Sequence, residues 1–143
     1  MSDDHRTAAL SVGGRDSELA SILDKGLDEY NFAATGTSEN DRDSFSVRLA
    51  GADGEIIGAL TAWTWAGLCG ISRIWVHQDH RKDGWGAQLL AAAEEEARHR
   101  GCVSSFTFQA PGFYRKYGYV ETGRTLGIPG GGEDVHLFKL LES

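Results

Sequence analysis

Two cations followed by two glycines form the most chemically suggestive stretch of the chain: Trp75-Val76-His77-Gln78-Asp79-His80-Arg81-Lys82-Asp83-Gly84-Trp85-Gly86-Ala87. Glycines let the backbone approach a ligand closely and turn successive N–H groups into one concavity. A helix that begins there adds its unpaired N–H groups and the positive end of its dipole. Arg81 and Lys82 supply counter-charge. The stretch suits a pyrophosphate; the alternative is a glycine-rich turn that merely joins strand to helix. Two other phosphate loops are excluded by residue. A dinucleotide fingerprint needs a third glycine where Leu89 stands, and an acid at the end of the next strand, where Phe108 and Gln109 stand. A Walker A loop needs Gly-Lys-Ser/Thr, and the loop has Gly84-Trp85-Gly86.

A strand, a basic loop and a helix must position this cradle. Leu68 to His77 is bulky enough for a central strand, Gln78 to Asp83 is the loop, and the helix runs from about Gly86 to His99. Leu89, Leu90, Ala93 and Ala97 form its apolar stripe and Gly101 stops it. Glu94-Glu95-Glu96 reads as its exposed face. Val103 to Phe108 is a strand, and Pro111 opens a short helix that Gly118 closes. Tyr119 to Thr125 and Glu133 to Leu141 are strands separated by a loose segment, Gly127 to Gly132. Upstream, Ser44 to Ala50 and Glu55 to Trp65 flank an Asp53-Gly54 hairpin turn. Leu19, Ile22, Leu23, Leu27 and Tyr30 share a helical stripe that Asp16 or Ser17 can cap. His5 to Val12 is expected as a first strand, and Asn31 to Asp43 as a polar loop holding at most a short helix. This order predicts an α/β (α+β) fold over residues 1–143 as one domain. Its central sheet is mixed, mostly antiparallel, with about six to seven strands, and helices flank it.

Arg81-x-x-Gly84-x-Gly86, following a strand, resembles the acyl-CoA pyrophosphate signature of the GNAT superfamily of N-acetyltransferases. Downstream, Ala110-x-x-Phe113-Tyr114-x-x-x-Gly118-Tyr119 resembles that family's second element, Ala-x-x-Phe/Leu-Tyr-x-x-x-Gly-Phe/Tyr. The first motif alone is weak; the two in series, with helix and strand between them, are specific. The resemblance covers roughly residues 44 to 141. The run Phe108-Gln109-Ala110-Pro111-Gly112-Phe113-Tyr114 is closest to a compact bacterial branch of stand-alone enzymes.

The resemblance implies a sheet splayed between the fourth and fifth strands, Leu68–His77 and Val103–Phe108, with the pantetheine arm of acetyl-CoA between them. Ile74, Trp75 and Val76 would pair with its amides, and a backbone N–H near Val76 would polarise the thioester carbonyl. Arg81, Lys82, Asp83, Gly84, Trp85, Gly86 and Ala87 would take the pyrophosphate. Thr107, Ala110, Phe113 and Tyr114 complete the cofactor set. Tyr114 stands where many relatives keep a general acid for the departing thiolate; a phenol and a thiol have nearby pKa values, about 10 and 8.5. The alternative is a packed aromatic. Two departures matter. Thr107 stands where relatives often carry a cofactor-binding asparagine, and Ser72 and Arg73 stand where many carry a glutamate base. Base candidates are therefore Glu133, Asp134, His136, Glu39, Asp41, or water alone.

The acceptor is read from charge and aromatic content. The chain has 143 residues, 14 Lys+Arg against 21 Asp+Glu, and a net charge of −7. That balance disfavours nucleic acid and anionic membranes and favours a cationic partner. Trp63 and Trp65 share parity on one strand, so they wall a pocket for a flat or cationic group or else pack in the core with Trp75. Tyr30, Glu39, Asp41, Glu133 and Asp134 complete the candidate acceptor set. The expected function is acetyl transfer from acetyl-CoA to the primary amine of a small cationic molecule, with antibiotic or toxin detoxification as the analogy the resemblance offers. The alternatives are a non-catalytic acyl-CoA-binding regulatory module and a protein lysine or N-terminal acetyltransferase. The resemblance also implies a homodimer through the last strands. No metal is expected, since His77-x-x-His80 has no further ligand nearby. No run approaches a membrane span, the first residues are too polar for a signal peptide, and Cys69 and Cys102 read as a buried reduced pair, so a cytoplasmic location is expected.

Overall fold

Alternation along two neighbouring strands sets the core. Leu60 and Ala62 on one and Cys69 and Ile71 on the next are all buried on one sheet face. The strands are β1 (Arg42–Ala50), β2 (Ile56–Trp65) and β3 (Leu68–Val76), an antiparallel meander. The computed structural model describes residues 8–108 and 110–142. Helix α2 (Trp85–His99) lays Leu89, Leu90, Ala93 and Ala97 onto that buried face. The chain then forms β4 (Ser104–Phe108), helix α3 (Pro111–Arg115), β5 (Val120–Ile128) and β6 (Gly132–Leu140). Sheet order is β1-β2-β3-β4-β6-β5, and β3–β4 is the parallel pair. A parallel neighbour requires a crossover, which α2 provides. The expected mixed, mostly antiparallel sheet flanked by helices is present, with six strands among the described residues.

The parallel pair is short. Leu68↔Ser104, Cys69↔Ser105 and Gly70↔Phe106 are its register, yet β3 continues to Val76. Just past the last pair, the Thr107 hydroxyl donates to the Ile71 carbonyl at 3.4 Å, a side chain taking over from the ladder. This is the expected splay. Register also slips between β2 and β3: Thr61 faces Arg73 whereas Ala62 faces Ile71, so Ser72 is an extra, bulged residue.

Contacts divide the chain into two compact units, Met1–Thr37 and Ser38–Ser143. The sheet, α2 and α3 belong to the second. The first holds α1 (Ser17–Thr35), which Asp16 caps by accepting from the Leu19 N–H at 3.0 Å, and which Gly36 closes at φ 69°.

Several expected boundaries change. Residues 5–7 of the expected first strand lie outside the described residues, and 8–12 form no strand. A strand needs a ladder partner, and the edge strands β1 and β5 pair only with β2 and β6. The expected loop from Asn31 is helical to Thr35, because Ala33 and Ala34 propagate α1 until Gly36 ends it. Glu39–Asp41 and Gln78–Asp83 form 3-10 turns. The segment Gly127–Gly132 is a tight hairpin: β5 runs to Ile128, and Gly130 and Gly131 turn the chain at φ 79° and 78°. Glu94 is buried, not exposed. It lies four residues after Leu90 on the inward stripe, and Lys139 Nζ reaches its carboxylate at 2.9 Å.

Candidate active site

The splay leaves the β4-facing edge of β3 without a ladder after Gly70, and two hollows occupy the gap. The first, about 370 Å³, is lined by Ile74, Trp75, Val76, Arg81, Gly86, Ala110 and Phe113. Every one of these is in the sequence-derived cofactor set. Gly84 precedes α2 at φ 79°, a conformation that suits glycine, and no side chain caps the helix. Its first turn carries no acid, so the first N–H groups of α2 face outward with an uncompensated positive dipole end. Gly86 brings the helix against Phe113; an added Cβ would lie 3.1 Å from the ring. Arg81 folds back, its Nε–H donating to the Val76 carbonyl at 2.9 Å, which ties the basic turn to the strand end. Lys82 is exposed, and the Asp83 carboxylate lies 4.0 Å from His80. Trp85 and Ala87 are half-buried in the first turn.

The second hollow, about 310 Å³, adjoins the first at Ile74 and Ala110, which line both. Tyr114 and Thr107 line it from α3 and β4, Trp63 from β2, and Asp134 from β6. Ala110 holds φ 49°, a left-handed conformation uncommon outside glycine. Its carbonyl accepts from the N–H groups of Phe113 and Tyr114 at 3.0 and 3.2 Å, so the turn aims Tyr114 back under the sheet. The Tyr114 ring is 2% exposed and makes edge contacts with Phe113 and Tyr119, both at 5.1 Å. Burial pushes its phenol above the ordinary tyrosine range, and a hydrogen bond with Thr107 opposes this only in part. Tyr114 thus keeps its proton at neutral pH.

The remaining acceptor candidates are dispersed. Trp65 is half-buried and, with Trp63, lines a shallow hollow beside Arg42 and Asp43, away from Tyr114. Asp41 is consumed by a capping box, accepting from the Ser38 N–H at 2.7 Å, and Glu39 is exposed in the same turn. Glu133 is gripped by Arg124 Nη1 at 2.6 Å. His136 stacks edge-on with Phe108 at 4.7 Å, and its Nε2 lies 3.1 Å from the Thr125 hydroxyl. Tyr30 is on α1 in the N-terminal unit. Of the five candidate base residues, Asp134 lines the hollow that holds Tyr114.

A sequence profile described as an acetyltransferase (GNAT) domain matches residues 43–121, more than half of the chain. The chain belongs to the GNAT acetyltransferase family. It is similar to the acetyltransferase Atu2258 of Agrobacterium fabrum, 30% identical over 124 residues, covering 84% of this chain and 88% of that protein. It is also similar to blasticidin-S acetyltransferase of Streptomyces morookaense, 36% identical over 83 residues, covering 52% of this chain and 59% of that protein. Among solved structures, an acetyltransferase from Bacillus cereus superposes with a TM-score of 0.80 at 27% identity, covering 93% of this chain and 98% of that one. GNAT acetyltransferases take acetyl from acetyl-CoA and act on amine acceptors, and this chain is an acetyl-CoA-dependent N-acetyltransferase.

The GNAT chain's own geometry fits that cofactor. An uncapped helix start, a left-handed glycine before it and basic residues beside it suit a pyrophosphate. The unladdered edge of β3 suits the amides of an extended arm. Sequence reasoning missed Phe106 and Phe108, which line the second hollow with Ser72 and Arg73. Alternation could have found the two phenylalanines, because Ser105 and Thr107, which alternate with them, are buried on the other face. Among the described residues no group of three or more His, Cys, Asp or Glu could hold a metal ion, and no helix is long and apolar enough to cross a membrane.

Proposed function

We propose that this GNAT enzyme acetylates the primary amine of a small, cationic molecule bound in the hollow of about 310 Å³. The observation that carries the reading is the junction of the two hollows at Ile74 and Ala110, beside Tyr114. When bound, acetyl-CoA supplies an acetyl group already activated as a thioester. The chain's residues do the rest. The N–H groups from Arg81 to Ala87 would hold the pyrophosphate, with Arg81 and Lys82 as counter-charge. The backbone of Ile74, Trp75 and Val76 would orient the arm, and an N–H near Val76 would polarise the thioester carbonyl. Tyr114 holds a proton at Oη and offers it to the leaving sulfur. Asp134 accepts a hydrogen bond from the acceptor ammonium and takes its proton, and Trp63 walls the site for a cation.

Similarity to blasticidin-S acetyltransferase supports including antibiotics among the acceptors. Tyr114 and Asp134 in one hollow disfavour a regulatory module without catalysis. Our reading treats residues 1–143 as one acetyltransferase domain, acting in the cytoplasm as a homodimer through β5 and β6; sedimentation tests the dimer.

The test is thiol release from acetyl-CoA across polyamines, aminoglycosides, aminonucleosides, amino acids and a lysine peptide, with calorimetric CoA binding in parallel. Release with one small-amine class is expected. Release with the peptide alone would overturn the small-molecule reading, and absence of CoA binding would overturn the cofactor site.

A further inference from the structure

The hollow beside Tyr114 carries a charge that the proposed acceptor, as a simple cation, leaves unused. Arg73 lines it together with Asp134, and neither side chain has a hydrogen-bond or ion-pair partner among the described residues. Four arginines of the sheet unit are spent on carboxylates, Arg98, Arg100, Arg115 and Arg124, and Arg81 is tied to the Val76 carbonyl; what sets Arg73 apart from the equally unpaired Arg48 is its place in the hollow. In a chain of net charge −7, an arginine left without a carboxylate in a concave site is a preference waiting for an anion.

Its placement is built into the strand. The bulge at Ser72 shifts β3 by one residue, so that Arg73 pairs with Thr61 and comes onto the face that carries Trp63. Without the bulge the residue at this position would fall to the α2 face, among Leu60 and Ile71. The wall next to Arg73 is aromatic. Trp63 meets Phe106 edge-on at 5.4 Å and Phe106 meets Phe108 at 5.5 Å. Trp63 lies over Gly70 so closely that an added Cβ would stand 2.3 Å from its ring, so the wall depends on that glycine. The hollow therefore offers one cation, one anion and an aromatic wall, in a volume at the small end of ligand pockets, about 300 to 1,000 Å³.

We propose that Arg73 is a specificity-determining residue that selects acceptors carrying a carboxylate beside the amine, that is, small zwitterions of amino-acid type with an apolar or aromatic side chain. The inference rests on the acceptor site argued above, and it replaces a net cationic acceptor with one whose ammonium is balanced by a neighbouring carboxylate. Asp134 faces the ammonium, Arg73 takes the carboxylate through its two-pronged guanidinium, and the aromatic rings cover the side chain.

The test compares phenylalanine, its methyl ester and phenethylamine, three ligands that share ring and amine and differ in the anion. Calorimetry against the CoA-loaded enzyme reads binding, and thiol release from acetyl-CoA reads turnover. Phenylalanine is expected to bind about tenfold tighter than the ester or the amine. Arg73→Gln should bring phenylalanine down to the ester's level through KM rather than kcat, and leave the other two ligands and CoA within about twofold. Arg73→Lys should restore part of the preference. Equal binding of all three ligands, no binding of phenylalanine, or an equal loss for all three in Arg73→Gln would overturn the inference. Arg73-dependent binding without thiol release would instead overturn acetyl transfer at this site. Efficient release with ester and amine regardless of Arg73 would leave transfer standing and remove Arg73's role.

Discussion

Tyr114 is buried to 2% exposure, yet it lines the hollow that shares Ile74 and Ala110 with the groove proposed for the cofactor. A phenol raised by burial stays protonated through neutral pH and can act only as a donor, although the same shift makes it a weaker acid than a solvated tyrosine. Tyr114→Phe keeps the ring contacts with Phe113 and Tyr119 and removes the proton. It should lower kcat by about a hundredfold while calorimetric CoA affinity and the melting temperature hold. Unchanged turnover would return Tyr114 to packing alone. Gly86 answers a different question. With Phe113 3.1 Å from where a Cβ would stand, Gly86→Glu adds both bulk and a negative charge at the start of α2. CoA affinity should drop by about a hundredfold or more, with circular dichroism unchanged. An affinity equal to wild type would remove the phosphate cradle from this loop.

At the scale of elements, β1 to β6 and the helices α2 and α3 were legible because each rests on local pattern, whereas the splay was legible only through the family resemblance. Leu89, Leu90, Ala93 and Ala97 fall on one stripe, and Arg81, Gly84 and Gly86 sit between a strand and a helix. What was not legible depends on the partner across a ladder. Glu94 looked solvated until Lys139 of β6 arrived beside it. Glu133 looked available until β5 extended past Thr125 and delivered Arg124 to it. Arg73 looked like a missing base because the bulge that turns it into the acceptor hollow has no sequence signal of its own. The meeting of β2 and β3 at Trp63 and Gly70 is likewise a register fact. Gly70→Val would force the indole off the strand, since ring and side chain cannot share a 2.3 Å gap. The variant should lose about 1–3 kcal/mol in urea denaturation, shift tryptophan emission and raise acceptor KM. Its CoA affinity should match wild type, because the cofactor groove is lined by other residues. A variant with wild-type acceptor KM would show that Trp63 plays no part in the acceptor site.

Across the whole molecule, the polar groups buried between sheet and α2 make the sheet unit sensitive to alkali rather than acid. Cys69 is 1% exposed and burial pushes its thiol from an ordinary 9.0 to about 11, reinforced by Cys102 and opposed by a hydrogen bond with Ser105. The Tyr119 phenol is raised further still, again by burial first, while its hydroxyl shares a 2.8 Å hydrogen bond with Ser105. Both groups are acids that the fold holds neutral. Below pH 9.0 Cys69 is protonated whether the chain is folded or not, so its contribution to stability is fully present. Between 9.0 and about 11 the unfolded thiol loses its proton while the folded one keeps it, and stability falls as pH rises. The urea midpoint should therefore be flat through neutral pH and decline across that window. Cys69→Ala should flatten part of the early decline, with the rest held by Cys102, which burial raises as well, and leave the later part, which belongs to the tyrosines. The same burial predicts that neither Cys69 nor Cys102 reacts with a thiol dye in the native protein at neutral pH, since both are buried and free. Two equivalents should appear only on unfolding. Rapid labelling of native protein would mean that the core opens under native conditions, and a pH-independent midpoint in wild type would mean that these groups are not held neutral by the fold.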